Sequence, residues 1–171
     1  MGKDNVSKRG LRCTIFLLTL VVCVVVDQAS KAVVKVSLDW GKTVSFIPGV
    51  LNLVRVENTG AAFSMGEGAG LLFAIIALVV TAGLAVLVVI EDMPLYLGVL
   101  CGAIAGGGIG NMIDRLAQGS VTDFFALAFI DFPVFNVADI FVTVGTLLAI
   151  IGWIHWDHKR ELARQDEPGR Q

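Results

Sequence analysis

Charge is scarce in this chain. Only 16% of its 171 residues are charged, against roughly 25% in a typical soluble domain. Hydrophobic residues make up 56%, and the mean hydropathy is +0.79. A soluble core that apolar would lack polar surface to cover it. The net charge of -2 argues against a general electrostatic footprint for nucleic acid. Cysteine is also sparse. Cys13, Cys23 and Cys101 are odd in number and lie in apolar stretches, so they suggest neither a disulfide framework nor a zinc site. They read as small buried apolar side chains. His155 and His158 are too few and too peripheral for a histidine metal site. No serine–histidine, cysteine–histidine or serine–lysine arrangement stands out, because Ser30-Lys31 and Ser64 have no converging base. No metal and no cofactor are expected.

What the chain has is long apolar runs. After a basic start with Lys3, Lys8, Arg9 and Arg12, the run from Cys13 to Val26 resembles the core of a signal peptide. It ends in D27-Q-A-S-K31 with no small-residue cleavage pattern, so it reads as an uncleaved first helix. Fourteen residues cover about 21 Å, short of a hydrocarbon core of roughly 30 Å. The helix must therefore continue past Asp27 and Lys31 toward Val36. Lys31 lies four residues after Asp27 on the same face, and can snorkel outward or pair with it. The expected spans are 12–36, 69–90, 95–113 and 137–156 of a single membrane domain, with the tail from Asp157 fraying into solvent. Gly98, Gly102, Gly106 and Gly110 recur every four residues in the third span, a stripe suited to close helix packing. Asn136 is a candidate N-cap for the fourth, and Trp153 and Trp156 suit a membrane interface.

Residues 37–68 are too polar to span. V44-S-F-I-P-G-V-L-N-L-V-R-V carries short β-favouring runs broken at Pro48-Gly49, and predicts a small sheet or hairpin on the membrane surface. N58-T-G-A-A-F-S64 predicts a turn into the second span. The fold class is thus an all-α membrane protein with four transmembrane helices and a small extracytoplasmic β-rich segment. The segment 114–136 is expected to be an outer loop. Basic residues near the span ends place both termini in the cytoplasm.

That topology gathers Asp27, Asn58, Asn111, Asp114, Arg115, Asp123, Asn136 and Asp139 at one membrane depth. Carboxylates beside membrane spans are costly, so each needs a partner, water or a role. Two close carboxylates can hydrolyse a peptide bond. One, ionised, takes a proton from water while the other, protonated, supports the carbonyl oxygen. Asp123 and Asp139 flank the fourth span's entry and are the candidate pair. Asp139 could instead simply stabilise the first turn of its helix. Asp131 reads as a loop or interface residue. Arg115 could pair with a carboxylate or hold substrate carbonyls. Asn58 and Asn136 could bind substrate backbone or brace it, and Asp114 could tie the third span to the first.

Five blocks in order, D27-Q-A-S-K31, N58-T-G-A-A-F-S64, G107-G-I-G-N-M-I-D-R115, G119-S-V-T-D-F124 and F132-P-V-F-N-V-A-D139, make the chain resemble the bacterial lipoprotein signal peptidases (signal peptidase II). The resemblance implies an inner-membrane aspartic peptidase that acts without a cofactor. Its substrates would be prolipoproteins carrying diacylglycerol on a cysteine, cut just before that residue. It assigns catalysis to Asp123 and Asp139, a substrate- and globomycin-binding pocket to Asn58, Asn111, Arg115 and Asn136, and support to Asp27 and Asp114. It also implies a loop closing over substrate near 124–132. The expected partners are such prolipoproteins and membrane lipid, with no nucleic acid and with the protein a monomer. A proton-coupled transporter would instead need polar residues running across the bilayer. A non-catalytic membrane scaffold would tolerate loss of both aspartates.

Overall fold

The computed structural model describes residues 3–60 and 68–165. The Ala61–Ser64 part of the predicted turn, Ser64 included, lies outside the described residues, as does the tail from 166 onward. Four long helices carry the chain: α1 (Lys3–Ser37), α2 (Gly70–Ile90), α3 (Leu95–Gln118) and α4 (Val137–Gln165). All four are long and apolar enough to cross a membrane. Their outward faces carry exposed Leu17, Val22, Leu72, Val79, Leu147 and Ile151, which only a hydrocarbon surround makes favourable at this density. The chain is a multi-pass membrane protein.

The helix α3 sits at the centre and packs against the other three. Its glycine stripe faces α1. A Cβ on Gly102 would lie 2.6 Å from the Phe16 carbonyl oxygen, and one on Gly106 would lie 2.7 Å from that of Leu20. Bare backbone there lets the two helices touch. Between lipid-immersed helices the attraction comes from such close packing, because lipid is as apolar as the side chains. Gly107 points the other way, against the Ala138 carbonyl of α4.

Three strands form one antiparallel sheet in the order β1 (Thr43–Ile47), β2 (Leu51–Asn58), β3 (Val121–Leu127). The first two are the predicted hairpin, turning at Gly49 with φ 74°, a conformation glycine adopts without strain. The third strand occupies the stretch expected to be loop. Its pairing partner lies more than sixty residues earlier in sequence, and a run as short as V121-T-D-F-F-A-L has no clean alternation to betray it. Asp123 is therefore a strand residue.

Three helices outrun their predicted spans. The helix α1 begins at Lys3, nine residues before the expected start at 12. The helix α3 continues beyond 113 through Asp114–Gln118 and stops at Gly119, whose φ of 79° forms a left-handed cap with its N–H on the Arg115 carbonyl. The helix α4 continues from Asp157 to Gln165, so this part of the tail is not frayed. Strong helix formers such as Lys159, Arg160, Glu161, Leu162 and Ala163 account for that. Arg160 also reaches Glu91 at 3.7 Å and stacks on Trp156.

At the bundle end away from the sheet, Arg12 is buried. Its Nε donates to the Val88 carbonyl at 3.1 Å, and its Nη1 donates to Asp92 at 2.9 Å. This ties α1 to the α2–α3 turn.

Candidate active site

The site forms where the sheet meets the bundle. Its first carboxylate, Asp123, comes from β3. The register sets Asp123 opposite Val56 and Val121 opposite Asn58, so Asn58 and Asp123 are diagonal neighbours on one sheet face. Asn58 Nδ2 donates to Asp123 Oδ2 at 2.9 Å. On the other face Thr122 and Ser120 hydroxyls donate to Glu57, fixing the strand pair. Phe124 buries against Val34 of α1 and Leu38 just beyond its end.

The second carboxylate, Asp139, comes from α4. The chain after β3 folds back, and Phe125 and Phe135 exchange backbone hydrogen bonds of 2.8 and 3.0 Å. That closure delivers Asn136 beside Asp123 and starts α4 at Val137. Asn136 is the N-cap: its Oδ1 accepts from the Asp139 N–H at 3.0 Å, and its own N–H donates to Asp139 Oδ2 at 3.0 Å. This is a reciprocal capping box with aspartate in the third position. The same Asn136 donates through Nδ2 to Asp123 Oδ1 at 2.6 Å. One fully buried asparagine thus bridges both carboxylates.

Asn111 of α3 completes the bridge. Its Nδ2 donates to Asp139 Oδ1 at 2.8 Å, and its Oδ1 accepts from Asn136 at 3.0 Å and from Lys31 Nζ at 2.9 Å. Lys31 is 1% exposed. It does not snorkel; it lies 2.8 Å from Asp27 and 3.0 Å from Asp114. Asp27 also accepts from the Ala138 N–H at 3.0 Å, and Asp114 from the Thr122 N–H at 3.2 Å. The two acids therefore hold the start of α4 and the start of β3 without facing the cavity.

Asn58, Asn111, Arg115, Asp123 and Asp139 line one cavity of about 400 Å³, with Phe132–Phe135 as its apolar wall. Arg115 donates to the Gly60 carbonyl at 3.0 Å and lies over the Phe73 ring. A second recess of about 270 Å³ reaches the same Asn111, Arg115 and Asp139. Its other walls are apolar residues of α2, α3 and α4 such as Phe73, Ile76, Val80, Ile104 and Val142. Asp131 is exposed and outside both. Ser30 donates to the Asp27 carbonyl at 2.7 Å, a helix-internal bond with no nucleophilic geometry. All three cysteines are free.

Burial pushes the Asp123 carboxyl up to about 7, and the nearby Asp139 charge adds to the rise. The Asn58 and Asn136 donors and the Lys31 charge oppose it.

A family model of signal peptidase (SPase) II matches residues 19–155. The chain belongs to the signal peptidase II family. The lipoprotein signal peptidase of Streptococcus pneumoniae is 38% identical over 150 residues, covering 86% of this chain and 95% of its own. That of Parasynechococcus marenigrum is 40% identical over 129 residues, covering 75% and 81%. A solved bacterial membrane enzyme superposes with a TM-score of 0.78 at 28% identity, over 91% of this chain and 94% of its own. The fold and the peptidase class of signal peptidase II thus extend over nearly all the described chain.

Lys31 is the functional neighbour that reading the sequence left undecided. Its signal was its place: a lysine inside an apolar span, one helical turn after an aspartate, needs partners.

Proposed function

We propose that this signal peptidase II removes the signal peptide from prolipoproteins, cutting just before a cysteine that carries diacylglycerol. Asp123 and Asp139 form the catalytic pair. The observation that carries the reading is the single buried Asn136 donating to both carboxylates at the edge of one cavity. Carboxylates from distant parts of the chain are held together there despite their mutual repulsion, which favours one shared proton.

The raised Asp123 group suits the protonated role near neutral pH, leaving Asp139 as the base. Asp139 takes a proton from water, and the water oxygen bonds to the scissile carbonyl carbon. Asp123 gives its proton to the carbonyl oxygen, so no free oxyanion builds up. Collapse breaks the carbon–nitrogen bond. The nitrogen leaves as an amine with the proton that Asp139 had collected, and Asp123 takes back a proton from a hydroxyl of the collapsing intermediate, whose carbonyl re-forms as a carboxylic acid. Arg115, with Asn58, offers donors to substrate carbonyls along the cavity wall.

The apolar recess between α2 and α4 gives the uncharged parts of a membrane-held substrate a place beside the pair. The inner (cytoplasmic) membrane, cytoplasmic termini and a site near the outer leaflet fit basic Lys8, Arg9, Lys159 and Arg160 at the far end. A single chain supplies every group, so a monomer is the active unit. A transporter would need polar side chains along the bilayer; α2 carries one, Thr81, across its length.

The test uses purified protein in lipid with a prolipoprotein, with and without its diacylglyceryl group. Mass spectrometry should find a product beginning at the modified cysteine, and none from the unmodified substrate. Absence of cleavage of the modified substrate would reject the reading.

A further inference from the structure

We propose that Lys31 is a positioning residue: its ammonium fixes the orientation of two side-chain amides so that both catalytic carboxylates receive N–H donors. This rests on the Asp123–Asp139 assignment above and adds to it a residue that touches neither carboxylate of the pair.

An ammonium has three N–H groups and nothing to accept with. Lys31 Nζ has three oxygen neighbours, Asp27 Oδ2 at 2.8 Å, Asn111 Oδ1 at 2.9 Å and Asp114 Oδ2 at 3.0 Å. The Asn111 atom facing Lys31 must therefore be the oxygen, because an NH₂ group there would meet the ammonium donor to donor. The amide is planar, so its nitrogen is forced toward Asp139 Oδ1. The remaining lone pair of Asn111 Oδ1 takes Asn136 Nδ2. That sets the second amide: Asn136 turns its nitrogen toward Asp123 and its oxygen toward the Asp139 N–H. A charge on α1 thereby dictates the polarity of amides on α3 and before α4. The choice of oxygen or nitrogen at an asparagine tip, ordinarily free to flip, has one solution here.

The alternative is that Lys31 merely neutralises Asp27 and Asp114 and holds the helices together. The two roles separate in the pH–rate profile. The charged groups around the pair are Lys31 from α1, Asp114 and Arg115 from α3, and each carboxylate facing the other from β3 and α4. Losing Lys31 removes a positive charge that lowers the Asp123 group, and releases Asn111 from its duty to donate to Asp139. The alkaline limb, which the Asp123 proton sets, then moves to higher pH. The shift should be about one pH unit, the worth of one hydrogen bond to a charged group.

The experiment compares Lys31→Met, Lys31→Gln and the charge-balanced pair Lys31→Met with Asp27→Asn. Each is purified in lipid and checked for folding by its unfolding transition, then assayed for prolipoprotein cleavage across pH. The expected result for Lys31→Met is a kcat loss of about tenfold or more, KM nearly unchanged, and the alkaline limb displaced upward. Lys31→Gln, whose amide can still donate to Asn111, should recover part of kcat. The charge-balanced variant keeps a carbonyl oxygen for the Ala138 N–H and removes one of the two acids that Lys31 pairs, so it should fold; its alkaline limb should still lie above that of wild type, by the part that the released amides contribute. Folded variants with a wild-type alkaline limb would overturn the proposal, whatever their stability. So would failure of all three to fold, which would make Lys31 an element of the fold alone. Inactive wild-type protein would instead reject the underlying peptidase reading.

Discussion

Replacing Asn136 with alanine probes the site through one side chain. Asn136 is fully buried and its side chain makes three bonds: to Asp123, to Asn111 and from the Asp139 N–H. Alanine removes them and leaves the backbone bond from residue 136 to Asp139. Loss of the helix N-cap costs about 1 kcal/mol. Above about pH 7, where Asp123 is ionised, loss of a donor to its charged carboxylate costs about 1.5–3 kcal/mol. The protein should therefore lose roughly 3 kcal/mol of stability by these two effects, readable by equilibrium unfolding in mixed micelles. The sign of the pH effect follows from which form the donor favours. Asn136 stabilises the Asp123 anion and so lowers a group that burial has raised to about 7. Removing it raises that group further, and the pair holds its shared proton to higher pH. The alkaline limb of kcat/KM should move up by about one to two pH units, since one unit corresponds to about 1.4 kcal/mol. An alkaline limb that stays put or moves down would refute the reasoning, as would a stability loss below about 1 kcal/mol.

Two further perturbations test the framework. Gly102→Ala places a methyl 2.6 Å from the Phe16 carbonyl oxygen and should cost about 1–3 kcal/mol by wedging α1 from α3, whereas Gly108→Ala, whose Cβ would meet only the Ala77 methyl at 3.7 Å, should be nearly neutral in the same unfolding assay. At the far end, Arg12→Met should destabilise by about 1–3 kcal/mol through the lost bond to the Val88 carbonyl, and leave kcat of the folded fraction unchanged. Asp92→Asn should shift stability by no more than about 1 kcal/mol, because the Asp92 side chain is 70% exposed and water screens such pairs.

The four helices are legible in the sequence because each is a long apolar run, and hydrocarbon leaves a run of that length few alternatives. The hairpin is legible from Pro48-Gly49 between β-favouring stretches. The third strand is not, because strand pairing between β2 and β3 is a long-range choice with no local marker. The extra turns of α3 and α4 were hidden for another reason: hydropathy marks where lipid ends, while helix propensity and caps such as Gly119 mark where a helix ends. In the site, acids and amides at one predicted depth already drew Asp123, Asp139, Asn58, Asn111 and Arg115 together, and these five line one cavity. Which of them touch was not legible. The bridging role of Asn136 depends on the Phe125–Phe135 closure, and the burial of Lys31 depends on an Asp114 that sits 83 residues away in the chain.

The most direct measurement is single-turnover cleavage of a diacylglyceryl-modified prolipoprotein by folded Asp123→Asn and Asp139→Asn variants beside wild type. Asparagine keeps each side chain's size and removes only its ability to hold or take the proton. The account predicts that wild type cuts and that both variants, with unfolding transitions present, lose cleavage by several orders of magnitude. Substantial cleavage surviving in either folded variant would contradict the paired-aspartate mechanism.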